Sequence, residues 1–143
     1  MEEDMGLEMP EPRRGQVESE KITINLGYVD LGHIDLLVRE GFYANRSDLI
    51  RTAVRNQIER HADAAHSAVE RQRLDLGIRY FSSSDLEAAV ASGRMLEINV
   101  LGLVSIARDV TPELARAAIA AVSVLGALQA SVEVKAALAD RMR

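Results

Sequence analysis

The chain has no cysteine among its 143 residues, which excludes disulfides, thiolate metal clusters and a cysteine nucleophile and leaves no mark of an oxidising compartment. No apolar run approaches the ~18 residues that cross a bilayer. The first residues, MEEDMGLEMPEP, are acidic and proline-bearing where a secretory leader needs a basic start and an apolar stretch. A soluble cytoplasmic protein is therefore expected, and at 48% apolar residues it has enough hydrophobic material for a core. No phosphate-binding glycine loop is present either: Gly102 and Gly126 recur within related segments but lack that spacing, and read as strand bends or points of close packing.

Net charge is −5, and its distribution matters more than its sum. Residues 1–20 hold seven acids against two arginines, residues 21–60 six cations against five acids, and residues 61–143 nine cations against ten acids. The surplus thus belongs to the amino-terminal tail, and the remainder is locally neutral or weakly basic. Residues 1–19, with Pro10 and Pro12 and no period of 2 or 3.6, read as a disordered acidic tail.

Order begins near Lys21. In KITINL the polar Lys21, Thr23 and Asn25 alternate with the apolar Ile22, Ile24 and Leu26, the pattern of a short strand with one buried face. Leu31, Ile34, Leu37 and Val38 then recur at helical spacing, with Asp30 expected as the cap and Gly41 as the stop. After FYA, Asn45 and Asp48 form a capping pair ahead of Leu49, Ile50, Ala53, Val54 and Ile58. Ala62, Ala65 and Val69 extend that stripe, so residues 62–77 are expected to be a helical linker that Gly77 ends.

Beyond it the rhythm changes. Ser84 with Glu87 reads as a capping box for a helix ending near Gly93, and Thr111 with Pro112 as a cap and first-turn pair. Leu96 to Ala107 and Val122 to Ala130 are β-like. They also resemble each other: INVLGLVSIA from Ile98 matches VSVLGALQAS from Val122 at an offset of 24. Residues 78–143 are accordingly expected to be a small α/β repeat module, and its apolar sheet edges to favour self-association into tetramers or larger assemblies.

A six-residue strand cannot persist alone, because its backbone groups need a partner and its apolar face a core. With no second strand nearby in sequence, the economical solution pairs the strands of two chains antiparallel about a two-fold axis. Ile22, Ile24, Leu26, Leu37, Leu49, Ile50, Ala53 and Val54 would form the dimer core. Lys21, Thr23 and Asn25 of both chains would then share the outer face of a ribbon whose width suits the DNA major groove.

The run KITINLGYVDLGHIDLLVREGFYANRSDLIRTAVRNQIERH, residues 21–61, resembles the ribbon-helix-helix DNA-binding proteins of the Arc/MetJ/CopG type, through the alternating strand, the GFY turn at Gly41–Tyr43 and the NRSDLIRTAVR helix opening. The resemblance implies an α+β chain: an N-terminal ribbon-helix-helix domain over residues 20–61 that dimerises, followed by the α/β module. It implies that Lys21, Thr23 and Asn25 contact bases and that Asn45, Arg46 and Ser47 hold the phosphate backbone of a double-stranded operator. The chemistry of these side chains agrees. Asn pairs bidentately with adenine, Lys donates to guanine, the Thr methyl meets the thymine methyl, and a helix start offers free amides to a phosphate. The chain departs from the family's minimal form in its longer second helix and its 80-residue extension.

Other constellations read more plainly. Arg51 and Arg55 are one turn apart and are expected in surface or intersubunit ion pairs. His61 and His66 are five apart and, with His33, are not expected to hold a metal. Ser82, Ser83 and Ser84 have no base or acid placed for a triad. The expected function is a transcriptional regulator of the repressor kind, neither an enzyme nor a cofactor protein. The alternatives are an antitoxin, or a DNA-tethered assembly or ligand-sensing protein.

Overall fold

The computed structural model of the protein describes residues 19–143, so the expected tail of residues 1–19 lies outside the described residues except for Ser19. The described chain divides into two compact units, residues 19–68 and 69–143.

In the first unit, residues 19–27 form neither helix nor strand in the single chain. Helix α1 spans Tyr28–Arg39 and α2 spans Arg46–Arg60. Asp30 does not cap α1. The helix starts from an extended Gly27, whose carbonyl accepts from the Leu31 amide at 3.0 Å, and Asp30 lies inside the first turn, where its charge favours the positive end of the helix. Gly41 performs the expected stop: at φ +90 it lets its own amide reach Val38 O and the Phe42 amide reach Leu37 O, each at 3.0 Å, closing both carbonyls in a Schellman motif. Asn45 caps α2 through Oδ1, which accepts from the Asp48 amide at 2.8 Å. The Asp48 carboxylate reaches back one residue further than a standard box and accepts from the Ala44 amide at 2.9 Å.

The stripe beyond Arg60 is helical, as α3, Ala62–Gln72, after a break at His61. Gly77 does not end it. The chain reverses four residues earlier, at Arg73, which takes the left-handed φ of 56 while the Leu74 amide bonds Val69 O. Residues 75–77, expected in the linker, already belong to a strand.

The second unit alternates strand and helix: β1 Asp75–Phe81, α4 Ser83–Ala91, β2 Leu96–Ile106, α5 Pro112–Ala118, β3 Ile119–Gln129, α6 Val132–Leu138 and a closing 3-10 turn Ala139–Arg141. The strands lie in the order β1-β2-β3 and all are parallel. Each strand-to-strand connection therefore passes through a helix. Leu86 of α4, Ala115 and Ala118 of α5, and Val134 and Leu138 of α6 are fully buried against Ile98, Val100, Val104 and Val122. Alternate strand residues turn the other way, and Leu76, Leu101 and Leu125 remain exposed on that side.

Caps mark each helix of this unit. The box before α4 is Ser82 with Asp85, two residues ahead of the expected Ser84 and Glu87: Ser82 Oγ accepts from the Asp85 amide at 3.1 Å, and Asp85 Oδ2 accepts from the Ser82 amide at 2.9 Å. Phe81 is buried at the end of β1, so the turn into α4 must begin at the next residue. These bonds, led by the one from the Ser82 backbone, hold the Asp85 carboxyl below its ordinary pKa. Thr111 caps α5 ahead of Pro112 as expected, with Oγ1 3.1 Å from the Leu114 amide. Ser131 caps α6 in the same way.

Strands β2 and β3 pair with Ile98 opposite Val122 through Ser105 opposite Gln129, the same offset of 24 at which the two segments resemble each other; β3 begins at Ile119, three residues before its expected start. On the other side Gly77 pairs with Gly102. Gly77, Gly102 and Gly126 thus form one row across the sheet, with φ of +118, +142 and +129. A Cβ on Gly102 would overlap the Gly77 carbonyl oxygen, and one on Gly126 the Gly102 carbonyl oxygen. Close backbone approach therefore requires glycine at the two later positions.

Candidate nucleic-acid interface

The first unit has almost no core of its own. Only Ile34 among its apolar residues is buried, at 9% exposure. Of the expected dimer-core residues, Ile22, Ile24, Leu26, Leu37, Ala53 and Val54 are exposed, Ile22 at 78% and Ile24 at 55%, and Leu49 and Ile50 are half-buried. They are not scattered. Ile24 and Leu26 line an open apolar trough together with Ile34 and Leu37 of α1 and Leu49, Ile50, Ala53 and Val54 of α2. Seven of the eight expected core residues therefore share one concavity. The eighth, Ile22, lies in an adjoining groove with Ile50, Val54 and the stems of Arg51 and Arg55.

Lys21, Thr23 and Asn25 are exposed, and Thr23 and Asn25 line neither depression. Lys21 borders the second groove. Among the described residues no strand pairs with this segment.

The start of α2 holds Asn45, Arg46 and Ser47, the three residues expected to contact phosphate. The Asn45 carbonyl oxygen of the side chain and the Asn45 main-chain oxygen take the Asp48 and Leu49 amides, which leaves the amides of Arg46 and Ser47 as the first-turn donors the cap does not use. Arg46 has a second task that sequence reasoning missed. Its Nε donates to Asp35 Oδ1 at 2.8 Å and its Nη2 to Asp35 Oδ2 at 2.9 Å, a two-pronged pair that ties α2 to α1. The hydrogen bond from Arg46, with its charge and that of Arg39, lowers the Asp35 pKa, and the same pair raises that of Arg46. Nη1 of Arg46 is the nitrogen that Asp35 does not use. Asp35 follows the apolar Ile34 in α1, and only the tertiary approach of the two helices reveals the partnership.

His61 Nε2 lies 3.4 Å from Gln57 Nε2, and among the described residues no three histidine, aspartate or glutamate side chains come together in a metal-binding group. Ser83 of the serine run donates to Asp109 at 3.1 Å. Among the described residues no helix is long and apolar enough to cross a membrane.

An open apolar trough on a two-helix unit, an alternating segment along it and a capped helix start thus lie together in the first unit. A model of the ribbon-helix-helix transcriptional regulator family matches residues 17–135. The chain belongs to that family, which makes it a DNA-binding transcription regulator of a dimerising kind. Comparison with curated proteins and with solved structures returned no match.

Proposed function

We propose that the protein is a site-specific repressor whose dimer reads the major groove with a two-stranded ribbon. The observation that carries this reading is the open apolar trough: a unit that buries one apolar residue cannot hold a fold against its chain entropy, and the missing core is what a second copy of Ile22, Ile24 and Leu26 supplies. Pairing the two segments antiparallel satisfies their backbones and turns Lys21, Thr23 and Asn25 of both chains outward. The Asn45, Arg46 and Ser47 start of α2 then anchors a phosphate on each side through first-turn amides and the unused Arg46 nitrogen.

The second unit pairs dimers, so that weak ribbons act together on adjacent half-sites. An antitoxin would instead carry a charge-rich tail ordered only on binding its toxin. Residues 75–138 form a capped sheet-and-helix unit with a buried core, which favours the regulator.

The test is binding to a selected operator and to scrambled DNA across a salt series. Asn25→Ala and Thr23→Ala should weaken operator binding about 5- to 160-fold, as for roughly 1–3 kcal/mol of lost discrimination, with little change on scrambled DNA. Unchanged selectivity would refute the ribbon assignment.

A further inference from the structure

The helices of the second unit cover one side of its sheet, and the other side keeps exposed leucines. We propose that its bare side packs face to face on the same side of a second copy, and that this contact joins two dimers into a tetramer. The proposal deepens the association proposed above and does not depend on how DNA is read.

Register places Leu76, Leu101 and Leu125 in one row across the three strands, and Ile78, Leu103 and Ala127 in the next. Leu76 is 67% exposed and Leu125 54%; Ile78 and Leu101 are exposed to a lesser degree, and Leu103 at the centre is buried. All six positions are uncharged and apolar. Parallel sheets otherwise occur with both faces covered, because their strands are apolar on both sides.

Three occupants can be compared. Nucleic acid is attracted by cations, and these rows contain none. Residues 1–18 carry six acids and two prolines, a poor cover for an apolar face. A second copy brings an equal set of leucines, and a two-fold axis near Leu101 of the central strand would lay the exposed row on its counterpart.

The area explains why the contact joins dimers. Three strands ~4.8 Å apart and seven residues long at ~3.3 Å each make a patch of roughly 330 Å², well under the ~800 Å² per partner of a stand-alone interface. One such contact is weak. A dimer carries two of these faces, so two dimers meet through two contacts at once, and the second forms at high effective concentration.

The experiment uses the full chain. Sedimentation at micromolar concentration should give a tetramer, and Leu76→Glu/Leu125→Glu should give a dimer with unchanged far-UV circular dichroism. The milder Leu76→Ser/Leu125→Ser serves if the glutamates disturb folding. Face-packed sheets lie ~10 Å apart, too far for a direct disulfide, so Leu101→Cys is treated with a short bismaleimide. The chain has no other cysteine, and a covalent pair of chains should form, whereas Glu87→Cys on α4 should form none. A wild-type dimer overturns both this contact and the association proposed above. A tetramer that survives the double substitution, or that gives no covalent pair at Leu101→Cys, overturns the face assignment and leaves association through another surface. Either result is distinct from loss of operator selectivity in the Asn25 and Thr23 variants.

Discussion

Replacing Gly102 by alanine places a methyl group where the carbonyl oxygen of Gly77 already stands. Two costs combine. Gly102 has a φ of +142, and holding a side-chain-bearing residue in such a sparsely populated region costs of order 1–3 kcal/mol. The overlapping atom is backbone in the neighbouring strand, so relief requires β1 to move from β2, weakening ladder hydrogen bonds each worth about 1 kcal/mol. A total of about 2–4 kcal/mol follows, a large part of the ~5–15 kcal/mol that holds a typical domain. Gly126→Ala should behave alike, since its Cβ meets the Gly102 carbonyl. Two other glycines separate the costs. Gly93 has φ +76 with nothing within 4 Å of an added Cβ, so Gly93→Ala should lose only the conformational part, about 1–2 kcal/mol. Gly32 lies inside α1 at an ordinary φ with open space around it, and Gly32→Ala should stabilise by up to about 1 kcal/mol. Equilibrium urea unfolding followed by circular dichroism measures all four. If Gly102→Ala costs no more than Gly93→Ala, the close stacking of the three strands is wrong.

Asn45→Ala removes the Oδ1 that accepts from the Asp48 amide and should cost about 1 kcal/mol, read as a lower melting temperature, with Asn45→Asp retaining most of the stability. The Asp35–Arg46 pair should give the first unit an acid-sensitive component. Because the folded-state pKa of Asp35 lies below its unfolded value, the pair contributes fully above the ordinary aspartate range and is lost as pH falls through the lowered folded value. Asp35→Asn should therefore flatten the acid limb of a melting temperature against pH profile, and an unchanged limb would show that the pair is not held in solution.

Those parts of the fold that rest on local chemistry are legible in residue order alone. Asn45, Gly41 and Thr111 act within three or four residues of themselves, and each stands at the helix end its residue type demands. The 24-residue likeness became strand register because side chains that repeat along two neighbouring strands meet across them. The departures have a common origin in competition between nearby candidates. Asp30 yielded to Gly27, Ser84 to Ser82, and Gly77 to Arg73, a residue whose left-handed φ nothing in its type announces. The pairing of β1 with β2 did leave a signal: a Leu-Gly pair recurs at 76–77, 101–102 and 125–126, and all three glycines fall in one row. At the candidate site the exposed alternation and the helix start can be read from residue order. The grip of Asp35 on Arg46 cannot, because eleven residues and a turn separate them.

The most direct measurement is selection of bound sites from a random DNA pool by the full chain, repeated with Lys21, Thr23 and Asn25 all changed to alanine. The account predicts that the unaltered protein recovers short two-fold-symmetric half-sites and that the altered one recovers none while remaining dimeric. Recovery of the same half-sites by both proteins would show that these three side chains do not read the DNA.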